Sequence, residues 1–155
     1  MMKSHLLHPE ILGALASAGH SSRVLISDGN FPHCTRRGPN SELVFLNLAP
    51  GMLKVTEVLE VLVHAVPFED AVVMKPNKTG TNALKNDPPI FKEFSDILTS
   101  AQSGVKLRSL ERFKFYEEAS SPDVCLTIAT GEDRIYASLL LTIGVIRQDH
   151  FTDHR

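Results

Sequence analysis

The sequence predicts an α/β fold: one layered domain with a mixed, largely parallel sheet flanked by helices, and a C-terminal antiparallel hairpin. Short apolar segments typical of buried strands alternate with segments whose apolar residues recur at helical spacing. The length of 155 residues, of which 43% are hydrophobic, suits a single domain over 1–155 with a sizeable core. Glycine, proline and small polar residues stand between most of the segments, which separates them into distinct elements.

The first half of the chain predicts two helices and two extended segments. Pro9 suits a first helical turn and Gly19 stops the helix that follows it. An apolar, β-branched run predicts a strand over 23–27, and a second strand-like or extended segment lies over 43–48. A helix over 52–65 is predicted from one apolar stripe at positions i, i+3, i+4 and i+7, formed by Val55, Val58, Leu59 and Leu62.

The second half continues the alternation. The predicted elements are, in chain order, a strand over 71–74, a helix over 91–101, a strand over 105–109, a helix over 111–119, a strand over 124–129 and a strand over 134–143. The last strand follows the one before it closely enough to pair with it as a hairpin. The polar stretch 76–88 is expected to be a long mobile loop, and residues 147–155 a flexible tail.

Charge and composition argue against several classes of protein. The formal net charge is −2 with both signs interspersed, so the basic stripe of a nucleic-acid binder is missing. The N-terminus lacks the apolar core of a signal peptide, and no apolar run is long enough to cross a membrane. Cys34 and Cys125 lie far apart and outside any Cys-x-x-Cys spacing, which predicts free thiols of a cytoplasmic protein. We expect neither nucleic acid nor a membrane as a partner.

His20 and Asp28 lie at the two ends of the first predicted strand. A histidine that titrates near neutral pH, together with a carboxylate, is the minimum equipment for moving protons on a neutral substrate without a metal or cofactor. Asp28 also follows the carboxyl end of a strand, where ligands gather in open α/β sheets. The plain structural alternatives are that His20 caps the first helix and that Asp28 forms an Asx turn.

Other histidines carry less weight. His5 with His8, and His150 with His154, have spacings that could suggest a metal site, but both pairs lie in terminal segments and lack a convincing third ligand. His33 could approach a site from the loop after the first strand, although no motif requires it. The chain has no glycine-rich phosphate loop, so we expect no metal and no cofactor.

A set of motifs, in matching order and spacing across almost the whole chain, resembles the ribose pyranase and fucose mutarotase family. These motifs are Pro9-Glu-Ile-Leu, Gly19-His20, Ser27-Asp28-x-Asn-Phe-Pro32, Glu111-Arg-Phe-x-Phe-Tyr-Glu117, Thr130-Gly-Glu132 and Tyr136-x-Ser-x-Leu-Leu. The segment Leu46-Asn-Leu-Ala-Pro-Gly51 is similar to the ribose branch, while Arg112 and Ala129 are similar to the fucose branch. The chain resembles the fucose mutarotase branch more closely overall.

The resemblance implies an isomerase of the racemase and epimerase class. Its expected activity is that of a monosaccharide mutarotase or pyranase, which opens and recloses the ring of a reducing sugar, here L-fucose or a related sugar. Such chemistry needs one group to take the anomeric hydroxyl proton and another to protonate the ring oxygen. The resemblance also implies a ring-like homo-oligomer, expected to be a decamer, with sugar sites at subunit interfaces. The alternative is a non-catalytic sugar-binding or regulatory protein that retains the family pocket.

The family motifs also imply site residues. His20 is the expected proton carrier, and the expected substrate contacts are Asp28, Arg112, Tyr116, Tyr136 and Ser138. Asp28 has a second possible role, which is to orient His20. Both branches of the family carry an asparagine where this chain has Ser138, whose hydroxyl keeps a donor and an acceptor but loses reach and an amide group.

Two spacings support these contacts. Arg112 and Tyr116 are four residues apart on a predicted helix, so both could face one ligand. Tyr136 and Ser138 alternate on one face of the predicted last strand. The structural alternatives are a solvated arginine, a partly buried aromatic ring and ordinary strand packing.

Overall fold

The computed structural model describes residues 2–101 and 104–147, and it confirms the predicted α/β class. The helices are α1 (Pro9–Ser17), α2 (Val55–Leu62), α3 (Pro89–Ala101) and α4 (Arg112–Ala119). The strands are β1 (Arg23–Ser27), β2 (Glu42–Phe45), β3 (Phe68–Met74), β4 (Leu107–Leu110), β5 (Val124–Ala129) and β6 (Leu139–Ile143). The chain order of helices and strands is the one that the apolar patterning predicts.

The strands form one six-stranded mixed sheet in the order β2-β5-β1-β6-β3-β4. All neighbouring pairs are parallel except those of β6, which runs antiparallel to both β1 and β3. The last strand is therefore antiparallel, as predicted, but its partners are not the preceding strand. Because β2 and β1 already occupy the two sides of β5, β6 must pair elsewhere, between β1 and β3.

The two faces of the sheet carry unequal layers. Side chains of β1 alternate between the faces, as the two-residue period of a strand requires. Val24 and Ile26 join the larger core, to which α1, α2 and α3 contribute apolar side chains, whereas Leu25 joins the smaller core around Phe115 of α4. All of these side chains are almost fully removed from solvent. The burial of this apolar surface stabilises the packing of helices on both faces of the sheet.

The second helix is shorter than the range 52–65 that its apolar stripe suggests. It begins at Val55 because Gly51 and Leu53 have positive φ angles of 77° and 54°, which a helix cannot include. The backbone N–H of Lys54 then donates to Glu57 Oε2 at 2.7 Å, which satisfies one of the free donors at the helix start.

The last strand is also shorter than predicted, because it begins at Leu139 instead of residue 134. Tyr136 has a positive φ of 59°, which breaks the extended conformation before the strand starts. Tyr136 and Ser138 therefore do not alternate on a strand, as the sequence suggested, but lie in the segment that leads into β6.

The sheet topology brings several loops to one edge. The parallel strands β1, β2, β3, β4 and β5 end at this edge, and the antiparallel β6 begins there. The residues that follow these five strands and precede the sixth therefore lie along one edge. This arrangement positions the site described below.

Two further expectations concern the surroundings of the protein. Cys34 and Cys125 are free thiols, as predicted. Within the described part of the chain, no helix combines the length and apolar character that a bilayer crossing requires.

Candidate functional site

A pocket of about 290 Å³ opens at the edge of the sheet where the parallel strands end. Five of the six residues that the sequence predicts for the site line it: Asp28, Arg112, Tyr116, Tyr136 and Ser138. The remaining lining residues are Asn30, Phe31, Met74, Asn77, Asn82 and Ile135. The wall therefore combines one carboxylate, one guanidinium, hydroxyl and amide groups, and apolar side chains.

Asp28 is the carboxylate of the pocket and is only 6% exposed. Its Oδ2 accepts a hydrogen bond from the Ser138 hydroxyl at 2.7 Å, and its Oδ1 accepts one from the backbone N–H of Asn30 at 2.9 Å. The second bond is the predicted Asx turn. Burial raises the pKa of Asp28 above its ordinary value, although the hydrogen bonds from Ser138 and Asn30 act in the opposite direction.

Ser138 is buried beside Asp28, and both hydrogen bonds of its hydroxyl are made with that residue. Its hydroxyl donates to Asp28 Oδ2 and accepts from the Asp28 backbone N–H at 3.1 Å. A hydroxyl has one proton and two lone pairs, so a single lone pair is left for any ligand. Ser138 thus holds Asp28 in place more than it serves the pocket.

Arg112 and Tyr116 line the pocket from the first turns of α4. Glu111 caps this helix by accepting the backbone N–H of Phe113 at 3.0 Å, which fixes where the helix begins. The Arg112 Cζ lies 5.7 Å from the centroid of the Tyr116 ring, and Arg36 Cζ lies 5.6 Å from the same centroid. Tyr116 therefore lies within cation–π distance of two guanidinium groups. Sequence reasoning missed Arg36, because only the tertiary fold brings it to this ring.

Tyr136 connects the pocket to the loop that follows β3. Its hydroxyl donates to the backbone carbonyl of Asn82 at 2.9 Å and accepts from the backbone N–H of Asn77 at 3.2 Å. The left-handed backbone of this bulky residue is a strained conformation of the kind found at functional sites. The sequence analysis gives Asn77 and Asn82 no role. Their position after the carboxyl end of a strand is the feature of the sequence that could have indicated one.

His20 lies at the opposite edge of the sheet. Its side chain is 54% exposed, and its Nε2 lies 3.1 Å and 3.2 Å from the two carboxylate oxygens of Glu69. The five residues of β1 separate it from Asp28, a distance of roughly 16 Å at about 3.3 Å per residue. Within one chain the structure therefore does not bring His20 to the pocket, and Asp28 cannot orient it there.

His33 lies close enough to the pocket to interact with the charge of Asp28, although it does not line the pocket. Its Nε2 lies 2.7 Å from Ser27 Oγ, whose own proton is donated to the carbonyl of Ile128 at 3.1 Å. The imidazole nitrogen must then be the donor to Ser27. Burial lowers the pKa of His33, although the negative charge of Asp28 partly opposes this effect, so the ring is neutral at pH 7.

The Thr130-Gly-Glu132 motif forms a buried ionic turn beside the pocket. The carboxylate of Glu132 is fully buried and accepts from Arg134 Nε at 2.8 Å and from Arg134 Nη2 at 2.9 Å. Although burial opposes ionisation, the Arg134 hydrogen bonds and charge hold the pKa of Glu132 below its usual range. Arg134 also contacts Glu93 of α3 at 2.8 Å, which ties the segment before β6 to that helix.

Gly131 explains why this turn has its sequence. A Cβ at this position would collide with the backbone oxygens of Met52 and Ala49, so no other residue fits without moving the backbone. The turn is thereby packed directly against the segment that precedes α2.

Metal ligands are not clustered in the described residues, where no group of three His, Cys, Asp or Glu side chains is arranged to hold an ion. The ring of His5 lies against His64, with 5.1 Å between centroids. The pair His150 and His154 lies outside the residues that the structure describes.

Comparison with known proteins gives concordant results. The model of the RbsD / FucU transport protein family matches residues 1–146. Fucose mutarotase of Danio rerio is 30% identical over 148 residues, which is 91% of this chain and 90% of that protein. Fucose mutarotase of Homo sapiens is 31% identical over 149 residues, again with 91% and 90% covered. The crystal structure of FucU from Bifidobacterium longum superposes with a TM-score of 0.74 at 28% identity, covering 90% of this chain and 95% of that one.

Proposed function

The chain belongs to the RbsD / FucU transport protein family, and from this premise we infer that it is a monosaccharide mutarotase. It is an isomerase of the racemase and epimerase class, which opens and recloses the ring of L-fucose or a related reducing sugar. The observation that carries this conclusion is the pocket at the edge of the sheet, where Asp28, Arg112 and Tyr116 converge. Its volume of about 290 Å³ is at the small end of ligand pockets and suits one monosaccharide.

Each pocket residue makes a different kind of contact with a neutral polyol. Asp28 accepts hydrogen bonds from sugar hydroxyls, and the guanidinium of Arg112 donates to sugar oxygens. The Tyr116 ring offers a flat apolar surface to the C–H groups of the sugar, while its hydroxyl can bond to a polar group of the sugar. Tyr136 and Ser138 complete the contacts, Ser138 chiefly through Asp28.

The proton carrier is assigned to His20, which must come from another subunit. A ring-like homo-oligomer, most simply the decamer that the sequence resemblance implies, would place His20 of the partner subunit at the mouth of this pocket. Its exposed ring and its contact with Glu69 support this role, because a carboxylate bonded to one ring nitrogen holds the imidazole in a fixed orientation. In the step itself, the neutral imidazole takes the anomeric hydroxyl proton as the bond between C1 and the ring oxygen breaks, and the imidazolium so formed returns a proton to the ring oxygen. The hemiacetal is thereby opened to the hydroxy-aldehyde, and the imidazole is neutral again.

The surface beside the pocket supports an interface between subunits. Phe45, the last residue of β2, and Leu48, three residues later, are 56% and 81% exposed. Such large apolar side chains are typical of surface that a partner covers. The two free thiols fit a reducing compartment, and we assign the protein to the cytoplasm.

Saturation-difference NMR tests the proposed reaction. L-fucose, D-ribose, D-galactose and D-glucose are each observed at equilibrium with and without the protein, and exchange between their forms is measured. We expect faster exchange for L-fucose or a close relative. Acceleration of no sugar would contradict the proposed reaction, and binding without acceleration would indicate the non-catalytic sugar-binding alternative instead.

A further inference from the structure

The loop between β3 and α3 forms one wall of the pocket through two asparagine side chains. Asn77 and Asn82 both line the cavity. Among the residues that the structure describes, no hydrogen bond from a protein group reaches either side-chain amide, although the N–H and carbonyl of Asn77 and the carbonyl of Asn82 are bonded. Each amide is therefore available to a ligand as a donor and as an acceptor.

The loop is held in place by its backbone. Tyr136 binds the N–H of Asn77 and the carbonyl of Asn82, and the carbonyl of Asn77 also accepts the N–H of Leu84 at 2.9 Å. Lys78 Nζ donates to the carbonyl of Lys85 at 3.1 Å across the same loop. Since backbone bonds fix its shape, the two asparagine side chains are not needed to build it.

Ser138 leaves a gap in the polar contacts of the pocket, because its hydroxyl is engaged twice by Asp28. An amide at that position would have presented two further donors and an acceptor. Tyr136, two residues earlier, brings the loop with Asn77 and Asn82 to the same segment of chain. The amide groups that position 138 lacks are thus supplied from the adjacent wall.

We propose that Asn77 and Asn82 bind hydroxyl groups of the sugar and determine which monosaccharides the pocket accepts. The proposal rests on the proposed function, because it takes the pocket to be the sugar site. The side-chain carbonyl accepts a sugar hydroxyl proton and the side-chain NH₂ donates to a neighbouring oxygen, so an asparagine can bind two adjacent hydroxyls. Both residues are binding residues and take no part in proton transfer.

The test compares Asn77→Ala and Asn82→Ala with a matched control, Asn86→Ala. Asn86 lies in the same loop and is exposed, but it does not line the pocket. Each alanine keeps the backbone N–H and carbonyl that anchor the loop. The measurements are KM and the saturated exchange rate for L-fucose and D-ribose by NMR, the Kd for both sugars by calorimetric titration, and the Tm.

We expect each pocket variant to raise KM and Kd for the preferred sugar about three- to tenfold, as for the loss of one neutral hydrogen bond. The saturated exchange rate and the Tm should stay near those of the unaltered protein, and the preference between the two sugars should change. Asn86→Ala should change none of these quantities. Equal effects of all three variants, or a loss of affinity matched by a loss of Tm, would overturn the proposal in favour of a structural role.

The proposed function and this inference fail in different ways. If the unaltered protein accelerates exchange but both variants keep its KM and Kd, the inference is wrong and the function stands. If it binds a sugar through Asn77 and Asn82 without accelerating exchange, the function is wrong and the binding role stands. If it neither binds nor accelerates exchange of either sugar, both are wrong.

Discussion

Asp28 shows how one buried residue links binding to stability. In the unfolded chain its pKa lies near 3.8, whereas burial raises it in the folded protein. Between these two pKa values the folded state binds more protons than the unfolded state, so the free energy of unfolding falls as pH rises through this window. If Asp28 binds the sugar as proposed, this cost in stability is offset in function, because a hydroxyl donates a stronger hydrogen bond to an ionised carboxylate than to a neutral acceptor.

The Asp28→Asn variant tests this linkage. It cannot ionise, so the stability of the unaltered protein relative to the variant should be greater at pH 4 than at pH 7. Urea unfolding of both proteins at the two pH values measures the difference. If the stability of the unaltered protein relative to the variant is instead greater at pH 7 than at pH 4, the fold stabilises Asp28 as an anion and the prediction is wrong.

At this scale the sequence predicts the residues that stand at the ends of clear elements. Asp28 follows an unmistakable strand, and Arg112 and Tyr116 share one face at the start of a helix. Spacing alone does not assign the three residues to one pocket, which is what the family resemblance implies. Arg36, Asn77 and Asn82 lie in polar loops where no local pattern distinguishes them. Their positions depend on contacts with Tyr116 and Tyr136, which only the folded chain provides.

Among the elements, the ionic turn before β6 contributes to stability through one buried ion pair, which a single substitution can remove. Arg134→Ala would leave the buried Glu132 carboxylate without its guanidinium. Removing one partner of a buried pair costs about 3–5 kcal/mol, and partial exposure of Arg134, at 35%, reduces this to about 2–3 kcal/mol through solvent screening. Urea unfolding measures the loss.

Arg134→Lys provides the comparison for this prediction. Lysine keeps the charge but cannot form the bidentate contact with Glu132, so its effect should lie between those of arginine and alanine. A loss below about 0.5 kcal/mol for alanine would place this pair among exposed ion pairs of little energetic weight.

Tyr136 fixes a second element, the loop after β3. Tyr136→Phe keeps the ring but removes the hydroxyl that binds Asn77 and Asn82, so the loop should open more often. Hydrogen exchange by NMR should then be faster for the backbone N–H of Asn77, with little change in the core strands. Unchanged exchange at Asn77 would mean that the hydroxyl does not restrain the loop.

The elements themselves were largely predictable, but their pairing was not. Apolar periodicity depends on neighbouring residues, so it located the helices and most strands within a few positions. The partners of β6 depend on which sides of β5 are already occupied, which is a property of the complete sheet. The sequence predicts too early a start for β6 because tyrosine rarely adopts a left-handed backbone conformation. Nothing in the sequence therefore indicates that Tyr136 has one.

For the whole molecule, the separation of His20 from the pocket predicts shared sites. His20→Ala and Asp28→Asn should each abolish sugar exchange when expressed alone. If subunits mix at random, about one quarter of the sites in co-expressed oligomers combine an intact pocket with an intact His20 of the partner subunit. NMR exchange rates should therefore recover to about a quarter of the unaltered rate.

Co-expression without recovery would mean that the two residues do not act in one shared site. Sedimentation of the unaltered protein provides the control, because a monomer could not share sites at all. A second control mixes the two variants after separate purification, under conditions in which their oligomers do not swap subunits. This mixture should stay inactive. Activity in it would mean that the residual activities of the two variants simply add.

The position of β6 also governs how the molecule can fold. Of all the strands in the sheet, the one between β1 and β3 is the last to be synthesised. Until it arrives, β2-β5-β1 and β3-β4 are two separate partial sheets, each with an unpaired edge facing the gap. Unpaired edges promote aggregation, and contacts distant in sequence form slowly. We therefore expect the nascent chain to be prone to aggregation until residues 139–143 are made and join the two partial sheets.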